Sequence, residues 1–134
     1  MTKSVVFTAV LAALAIPSFA SAQLQIGGQQ SNYGGTYMQR GTPDPMVVAV
    51  VSGGAINASN AVRVSGCRGF VTRAPDHIVT LPNPRRFLRF FAESAGDTTL
   101  IINDPNGNWY CNDDAVGRNP MIDFRRAPAG QYDV

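Results

Sequence analysis

The chain has 134 residues, with 11 Lys or Arg, 9 Asp or Glu and a formal net charge of +2. This length fits one domain with a modest core. The near balance of charges argues against nucleic acid as a partner, because nucleic-acid binding usually needs a densely basic face. There is one histidine, one glutamate (Glu93), and no G-x-S-x-G or HExxH motif. The sequence therefore predicts a protein that is not an enzyme.

The first 22 residues have the pattern of a secretory signal peptide. Lys3 supplies a positive charge, residues 5–16 form an apolar run, and Ala20-Ser21-Ala22 is a small-residue cleavage pattern. The apolar run is shorter than the roughly 20 residues that span a bilayer. We expect cleavage after Ala22, a periplasmic or extracellular protein, and no membrane span after cleavage. The alternative is an uncleaved membrane anchor.

The chain has two cysteines, Cys67 and Cys111. In an exported protein an even count predicts a disulfide. The loop between them has about 45 residues, for which the chain-entropy estimate of stabilisation is about 4 kcal/mol. A metal site would need more soft ligands than two cysteines and His77.

Residues 23–45 are rich in Gly, Gln and Ser, which predicts a flexible leader. Residues 46–134 have no sustained helical period and contain short apolar runs separated by turn residues. Many short runs of this kind predict an all-β sandwich or barrel. The runs are 46–51, 61–64, 69–72, 77–81, 86–93, 98–103, 108–112, 121–124 and 131–134.

One hairpin has a clear turn signal. Residues 98–103 and 108–112 flank the sequence Asp104-Pro105-Asn106-Gly107. Pro105 sets the dihedral of the first turn position, and Gly107 can adopt the positive φ that closes the turn.

Alternation along two runs predicts which side chains share a face. In residues 86–93 both faces carry aromatic side chains, which suits a strand inside a two-sheet structure. In residues 108–112, Trp109 shares a face with Cys111, and Tyr110 points the other way. Tryptophan against a disulfide is common in sandwich cores, so we expect Trp109 in the core. The alternative is a ligand-stacking platform.

Asp104, Asp113 and Asp114 are candidate calcium ligands, because calcium takes six to eight oxygen ligands and a hairpin could bring these groups together. The spacing from Asp104 to Asn108 imitates the start of an EF-hand loop, but Ala115 stands where that loop has its bidentate glutamate. The alternative is a plain polar turn, since Asp and Asn side chains often bond their own backbone.

The arginine pairs Arg85-Arg86 and Arg125-Arg126 flank predicted strands. Charges at strand edges discourage edge-to-edge pairing. The alternative is a patch that binds carbohydrate or peptidoglycan.

The second half of the chain resembles the bacterial pre-peptidase C-terminal domain family. The resemblance rests on the order of four segments, Gly96-Asp97-Thr98-Thr99-Leu100, Asp104-Pro105-Asn106-Gly107-Asn108, Asn112-Asp113-Asp114 and Ala129-Gly130-Gln131-Tyr132-Asp133-Val134. It implies a single antiparallel β-sandwich of jelly-roll type, attached to secreted enzymes or acting as an accessory module.

Two details of the resemblance concern ligands and cysteines. Some relatives bind calcium or insoluble protein substrates, and the calcium ligands of the family lie largely in an acidic segment that enters the domain. Here that segment contains Asp44 and little else acidic, so the family's calcium site is not carried over. Cys67-Arg68-Gly69-Phe70 and Ala74-Pro75-Asp76 resemble a cysteine-paired subgroup of exported bacterial proteins with this sandwich.

The expectation for function is an exported, non-catalytic module that binds a secreted protein or a cell-envelope polymer, with no cofactor other than the candidate calcium. The first alternative is a fragment of a larger secreted peptidase or other exported enzyme. The second is a structural component of an envelope assembly. We also expect the sandwich to be truncated at Val134, because the family's last strand runs several residues further. The sequence does not identify the ligand-binding residues.

Overall fold

The structure is a computed structural model that describes residues 23–134, so the predicted signal peptide lies outside the described residues. The described chain forms short strands and one helical turn. These are β1 (Gly35–Tyr37), β2 (Ile56–Asn57), α1 (Ala58–Ala61), β3 (Phe70–Val71), β4 (Ile78–Leu81), β5 (Arg85–Phe91), β6 (Leu100–Asn103), β7 (Trp109–Asn112), β8 (Met121–Ala127) and β9 (Gly130–Asp133).

Five of these strands form one sheet in the order β1-β4-β9-β6-β7, and the pairs β2-β3 and β5-β8 form two further small sheets. The all-β prediction is therefore confirmed. The expectation of an entirely antiparallel structure is wrong at one place, because β1 and β4 are parallel, with Gly35 opposite Ile78. Parallel pairing arises here because the chain crosses over between β1 and β4 by way of β2, α1 and β3.

The main core lies between the five-stranded sheet and the β5-β8 pair. Three of its rings come from different strands: Phe124 of β8 meets Phe90 of β5 edge-on at 5.9 Å and Tyr132 of β9 at 5.3 Å between centroids. Tyr132 is fully buried. The buried members of the core are Val79, Leu81, Leu100, Ile102, Ile122, Phe124, Ala127 and Tyr132.

The predicted hairpin is confirmed. β6 and β7 pair antiparallel, with Asn103 opposite Trp109. Gly107 has a φ of 81° and donates its N–H to the Asp104 carbonyl at 2.9 Å. Pro105 also packs against Gly130, the first residue of β9: a Cβ placed on Gly130 would lie 2.6 Å from the Pro105 Cβ. A glycine is needed there, since Gly130 also has a φ of 129°.

The sheet begins earlier in the chain than the predicted boundary at residue 46. β1 lies inside the segment expected to be a leader. It approaches β4 closely because Gly35 has no Cβ; a Cβ there would lie only 3.2 Å from the Ile78 carbonyl oxygen. Upstream of β1, the Gly27 N–H donates to Asp133 at 2.7 Å. Gln131 donates to the Gly28 carbonyl at 2.8 Å. The composition of this segment does not predict a strand, because a glycine-rich sequence has few side chains with high strand propensity.

Two apolar runs do not form the expected strands. Residues 46–51 have no regular secondary structure, although five of the six residues are Val or Met. Residues 61–64 do not form a strand either, and Ala61 is the last residue of the helical turn α1. α1 is the one helix between residues 23 and 134, and with four residues it is too short to cross a membrane.

Candidate functional site

The predicted disulfide between Cys67 and Cys111 is present. The two Cα atoms are 5.1 Å apart, and Cys67 is buried. Cys111 lies on β7, and Cys67 lies in the connection between α1 and β3. The bond therefore joins this connection to an edge strand of the five-stranded sheet.

The face assignment along β7 is the reverse of the one expected. Tyr110 packs against the main core, with its ring 4.7 Å from that of Phe124. Trp109 and Cys111 are on the opposite face of the strand, and Trp109 is half-buried. The alternation itself was correct, but the disulfide lies outside the main core. The disulfide partner therefore cannot be used to decide which face of β7 is inside.

Asp104 serves the hairpin turn. It is only 5% exposed, and its Oδ1 accepts the backbone N–H groups of Asn106 and Asn108, both at 2.9 Å. Its Oδ2 accepts from the Asn108 side chain and from the Tyr110 hydroxyl, both at 3.2 Å. Burial, with a further contribution from this carboxylate, raises the pKa of Tyr110. Both oxygens of Asp104 are thus engaged by the protein.

The other two candidate calcium ligands are at the far end of the hairpin. Asp113 follows β7 and accepts a hydrogen bond from Thr99 at 2.5 Å, with Arg68 at 3.9 Å. Asp114 is exposed. A four-residue strand, about 13 Å long, separates them from Asp104. Among residues 23–134 no three His, Cys, Asp or Glu side chains are grouped as a metal site requires. The structure does not bring the three predicted ligands together.

The single histidine is part of the structure of the sheet edge. His77 is 8% exposed. Its Nδ1 lies 3.2 Å from the Tyr33 carbonyl, which can only accept, so Nδ1 carries the proton. Nε2 lies 2.9 Å from the Thr36 hydroxyl. Both ring nitrogens therefore have hydrogen-bond partners within the protein.

The side of the β5-β8 pair that points away from the core carries exposed aromatic side chains, and we call it the outer face. Leu88 and Phe90 of β5 contact the core, so the alternate residues Phe87, Arg89 and Phe91 point outwards. Phe87 is 49% exposed and Phe91 is 45% exposed. The cross-strand partners that complete the outer face are Arg125, Asp123 and Met121.

An ion pair fixes the centre of the outer face. Arg89 and Asp123 are directly opposite each other, and the guanidinium donates two hydrogen bonds to the carboxylate, at 2.6 and 2.8 Å. The hydrogen bond from Arg89 lowers the pKa of Asp123, and the same bond raises the pKa of Arg89. The Arg89 guanidinium also lies 5.4 Å from the centre of the Phe87 ring, in a cation–π arrangement. The ion pair and the cation–π contact therefore hold the Arg89 guanidinium between Asp123 and Phe87.

The predicted arginine pairs lie where β5 begins and near the end of β8. Arg125 is on the outer face opposite Phe87, whereas Arg85 is opposite the buried Ala127 and donates to the Met38 carbonyl at 3.3 Å. At the other end the outer face continues into a shallow cleft of about 260 Å³. The cleft is lined by Arg89, Phe91, Ala92, Glu93, Val116, Asn119, Pro120 and Met121.

The sequence contains a signal for this surface. Aromatics on both faces of residues 86–93 suggested a strand covered on both sides. However, Phe87 and Phe91 are an even number of residues from Arg85 and Arg89, so a regular strand places all four on the same face. Because arginine is rarely buried, aromatic residues that share its face are expected to be exposed.

Comparisons with known proteins give no relative: no protein-family model, curated protein or solved structure matches the chain significantly.

Proposed function

We propose that this protein is an exported, non-catalytic β-sandwich module that binds an anionic polymer of the cell envelope through its outer face. The observation that carries the proposal is the pair of half-exposed rings, Phe87 and Phe91, on either side of the Arg89–Asp123 ion pair along β5. Export follows from the pattern of residues 1–22, and the jelly-roll sandwich follows from the family resemblance.

The exposed rings could supply the apolar part of the binding energy. A phenylalanine side chain buries roughly 200 Å² when it is fully covered, so covering the exposed halves of two rings removes about 200 Å² from water. At about 25 cal/mol per Å² this is about 5 kcal/mol before the costs of association.

The charges favour an anionic ligand. Arg125 lies on the outer face opposite Phe87. Arg89 is already paired with Asp123, so Arg125 adds a positive charge beyond the ion pair. Arginine forms paired hydrogen bonds with carboxylates and phosphates, the groups that give envelope polymers their negative charge.

A non-catalytic role is consistent with the engaged state of the ionisable groups. His77 is buried with both ring nitrogens bonded, and Asp104 accepts four hydrogen bonds. Asp123 is paired with Arg89. None of these groups faces a second free acid or base across a cleft, as acid–base catalysis would need.

Co-sedimentation with insoluble peptidoglycan, and affinity electrophoresis in alginate with dextran as the neutral control, test this proposal. The Phe87→Ser/Phe91→Ser double variant should lose at least tenfold in affinity, since each ring contributes on the order of 2 kcal/mol. Phe70→Ser is the matched control, because Phe70 is 59% exposed but lies on β3. Salt should weaken the binding of the unaltered protein. The proposal is refuted if the protein binds neither peptidoglycan nor alginate, or if Phe70→Ser loses as much affinity as the double variant. It is also refuted if the outer face binds a secreted protein and not these polymers.

A further inference from the structure

Residues 46–51, with the sequence Met-Val-Val-Ala-Val-Val, form an exposed apolar segment outside every sheet. Val47 is 80% exposed, Val51 77% and Val50 44%. Among residues 23–134, no backbone-to-backbone hydrogen bond involves residues 43–55. The segment thus presents both its valine side chains and its backbone donors and acceptors to a partner. We call it the valine segment.

The valine segment is anchored at its C-terminal end. The Tyr33 hydroxyl donates to the Val51 carbonyl at 3.2 Å. Three residues later, Gly54 lies so close to β3 that a Cβ there would overlap the Val71 backbone. These contacts hold the segment against the domain while leaving residues 47–50 without hydrogen bonds to the described chain. A partner strand would therefore meet a segment whose conformational freedom is already reduced.

The sequence of the segment is that of a strand without a partner. Val favours extended backbone. Six residues of high strand propensity, without Pro, Gly or charge, are typical of segments that pair with other chains. No charged residue occurs between Asp44 and Arg63. Charges of this kind are what proteins use to prevent pairing between chains.

We propose that the valine segment pairs with the valine segment of a second copy of this chain, as two antiparallel strands related by a twofold axis at Ala49. In this register Val47 of one copy lies opposite Val51 of the other. These residues and Ala49 have the same parity and are all exposed, whereas Met46 and Val48 are half-buried against their own domain. Each domain could then keep its inner contacts while the backbone groups of the two segments pair and the exposed valines contact each other across the strands.

A second copy fits this segment better than an unrelated charged partner. The segment has no charge with which to select such a partner, and a twofold pair is self-complementary by construction. Residues 23–134 contain ten Arg and nine acidic residues, a net charge of +1, so two copies repel each other little. Six residues a side give an interface smaller than that of a stable complex, so we expect a weak dimer that forms only at high protein concentration. This inference uses residues remote in sequence from the outer face and is independent of the proposed function.

Sedimentation velocity of the purified protein from 1 to 300 μM tests the association. The protein should shift from monomer to dimer across this range. Val47→Lys/Val51→Lys places like charges opposite each other and should keep the protein monomeric at all concentrations. Val116→Lys, at a valine that is 65% exposed, is the control and should dimerise as the unaltered protein does. Since all these side chains are exposed, circular dichroism should show that each variant is folded.

Cross-linking tests the register. At the twofold axis the two Ala49 Cα atoms would be about 4.5–5.5 Å apart, which is within the range for a disulfide. Under mild oxidation Ala49→Cys should form a covalent dimer at least tenfold faster than Val116→Cys. A protein that is monomeric at 300 μM would overturn the proposal. So would equal cross-linking of the two variants, or a dimer that is lost in Phe87→Ser/Phe91→Ser and kept in Val47→Lys/Val51→Lys.

Discussion

Replacing Asp104 by alanine should be among the most destabilising changes to a charged residue in this protein. The carboxylate is 5% exposed and accepts four hydrogen bonds, two from the turn backbone, one from the Asn108 side chain and one from Tyr110. Each backbone donor that loses such an acceptor costs about 1 kcal/mol, and the part-buried Tyr110 hydroxyl costs a similar amount. The exposed Asn108 side chain can bond to water in compensation. The expected loss is about 3 kcal/mol, or roughly 10–15 °C in Tm for a domain of this size.

Urea unfolding monitored by circular dichroism measures this loss, with Asp114→Ala as the matched control. Asp114 is exposed, so its replacement should change the free energy of unfolding by less than about 0.5 kcal/mol. Adding Tyr110→Phe to Asp104→Ala removes the donor that the first change leaves unbonded. The double variant should therefore be more stable than the sum of the two single losses predicts, by about 1 kcal/mol. An Asp104→Ala variant within 1 kcal/mol of the Asp114→Ala control would show that the turn does not depend on this carboxylate.

Three further changes test single features of the structure. Burial of the hydroxyl and, to a smaller extent, the charge of Asp104 raise the pKa of Tyr132 from 10.0 to about 12. The free energy of unfolding should therefore keep its full value below pH 10 and fall by about 2–3 kcal/mol as the pH rises from 10 to 12. A urea midpoint that does not change over this window would contradict the burial of the hydroxyl. Arg126 has a φ of 64°, a backbone conformation that costs a residue with a side chain roughly 1 kcal/mol. Arg126→Gly should therefore raise the melting temperature, whereas Arg125→Gly, at the preceding residue of β8, should lower it. Gly54→Ala should cost about 1–3 kcal/mol because the new Cβ overlaps backbone, while Gly96→Ala, with its nearest neighbour 3.9 Å away, should leave the urea midpoint unchanged within error.

The features that the sequence predicted correctly depend on local chemistry. The β6-β7 hairpin follows from Pro105 and Gly107, whose backbone preferences act within four residues. The disulfide follows from an even cysteine count in a chain that is predicted to be exported. Neither prediction requires knowledge of which strands lie side by side, so both could be made without the topology.

The features that the sequence did not predict depend on partners distant in the chain. The valine segment has strong strand propensity, but a strand also needs a partner, and residues 46–51 pair with no sheet of the described chain. Conversely, β1 has weak propensity and gains its place from the close approach of Gly35 to Ile78. The outer face was missed because the pairing of β5 with β8 alone does not show which side the five-stranded sheet covers.

The position of β9 affects the order in which the protein can fold. β9 is the middle strand of the five and is formed by residues 130–133, the last part of the described chain to be synthesised. Before these residues emerge, the sheet exists only as two separate pairs, β1-β4 and β6-β7, neither of which is stable alone. The five-stranded sheet therefore closes only when β9 inserts between β4 and β6, and this insertion is the step that joins its two halves.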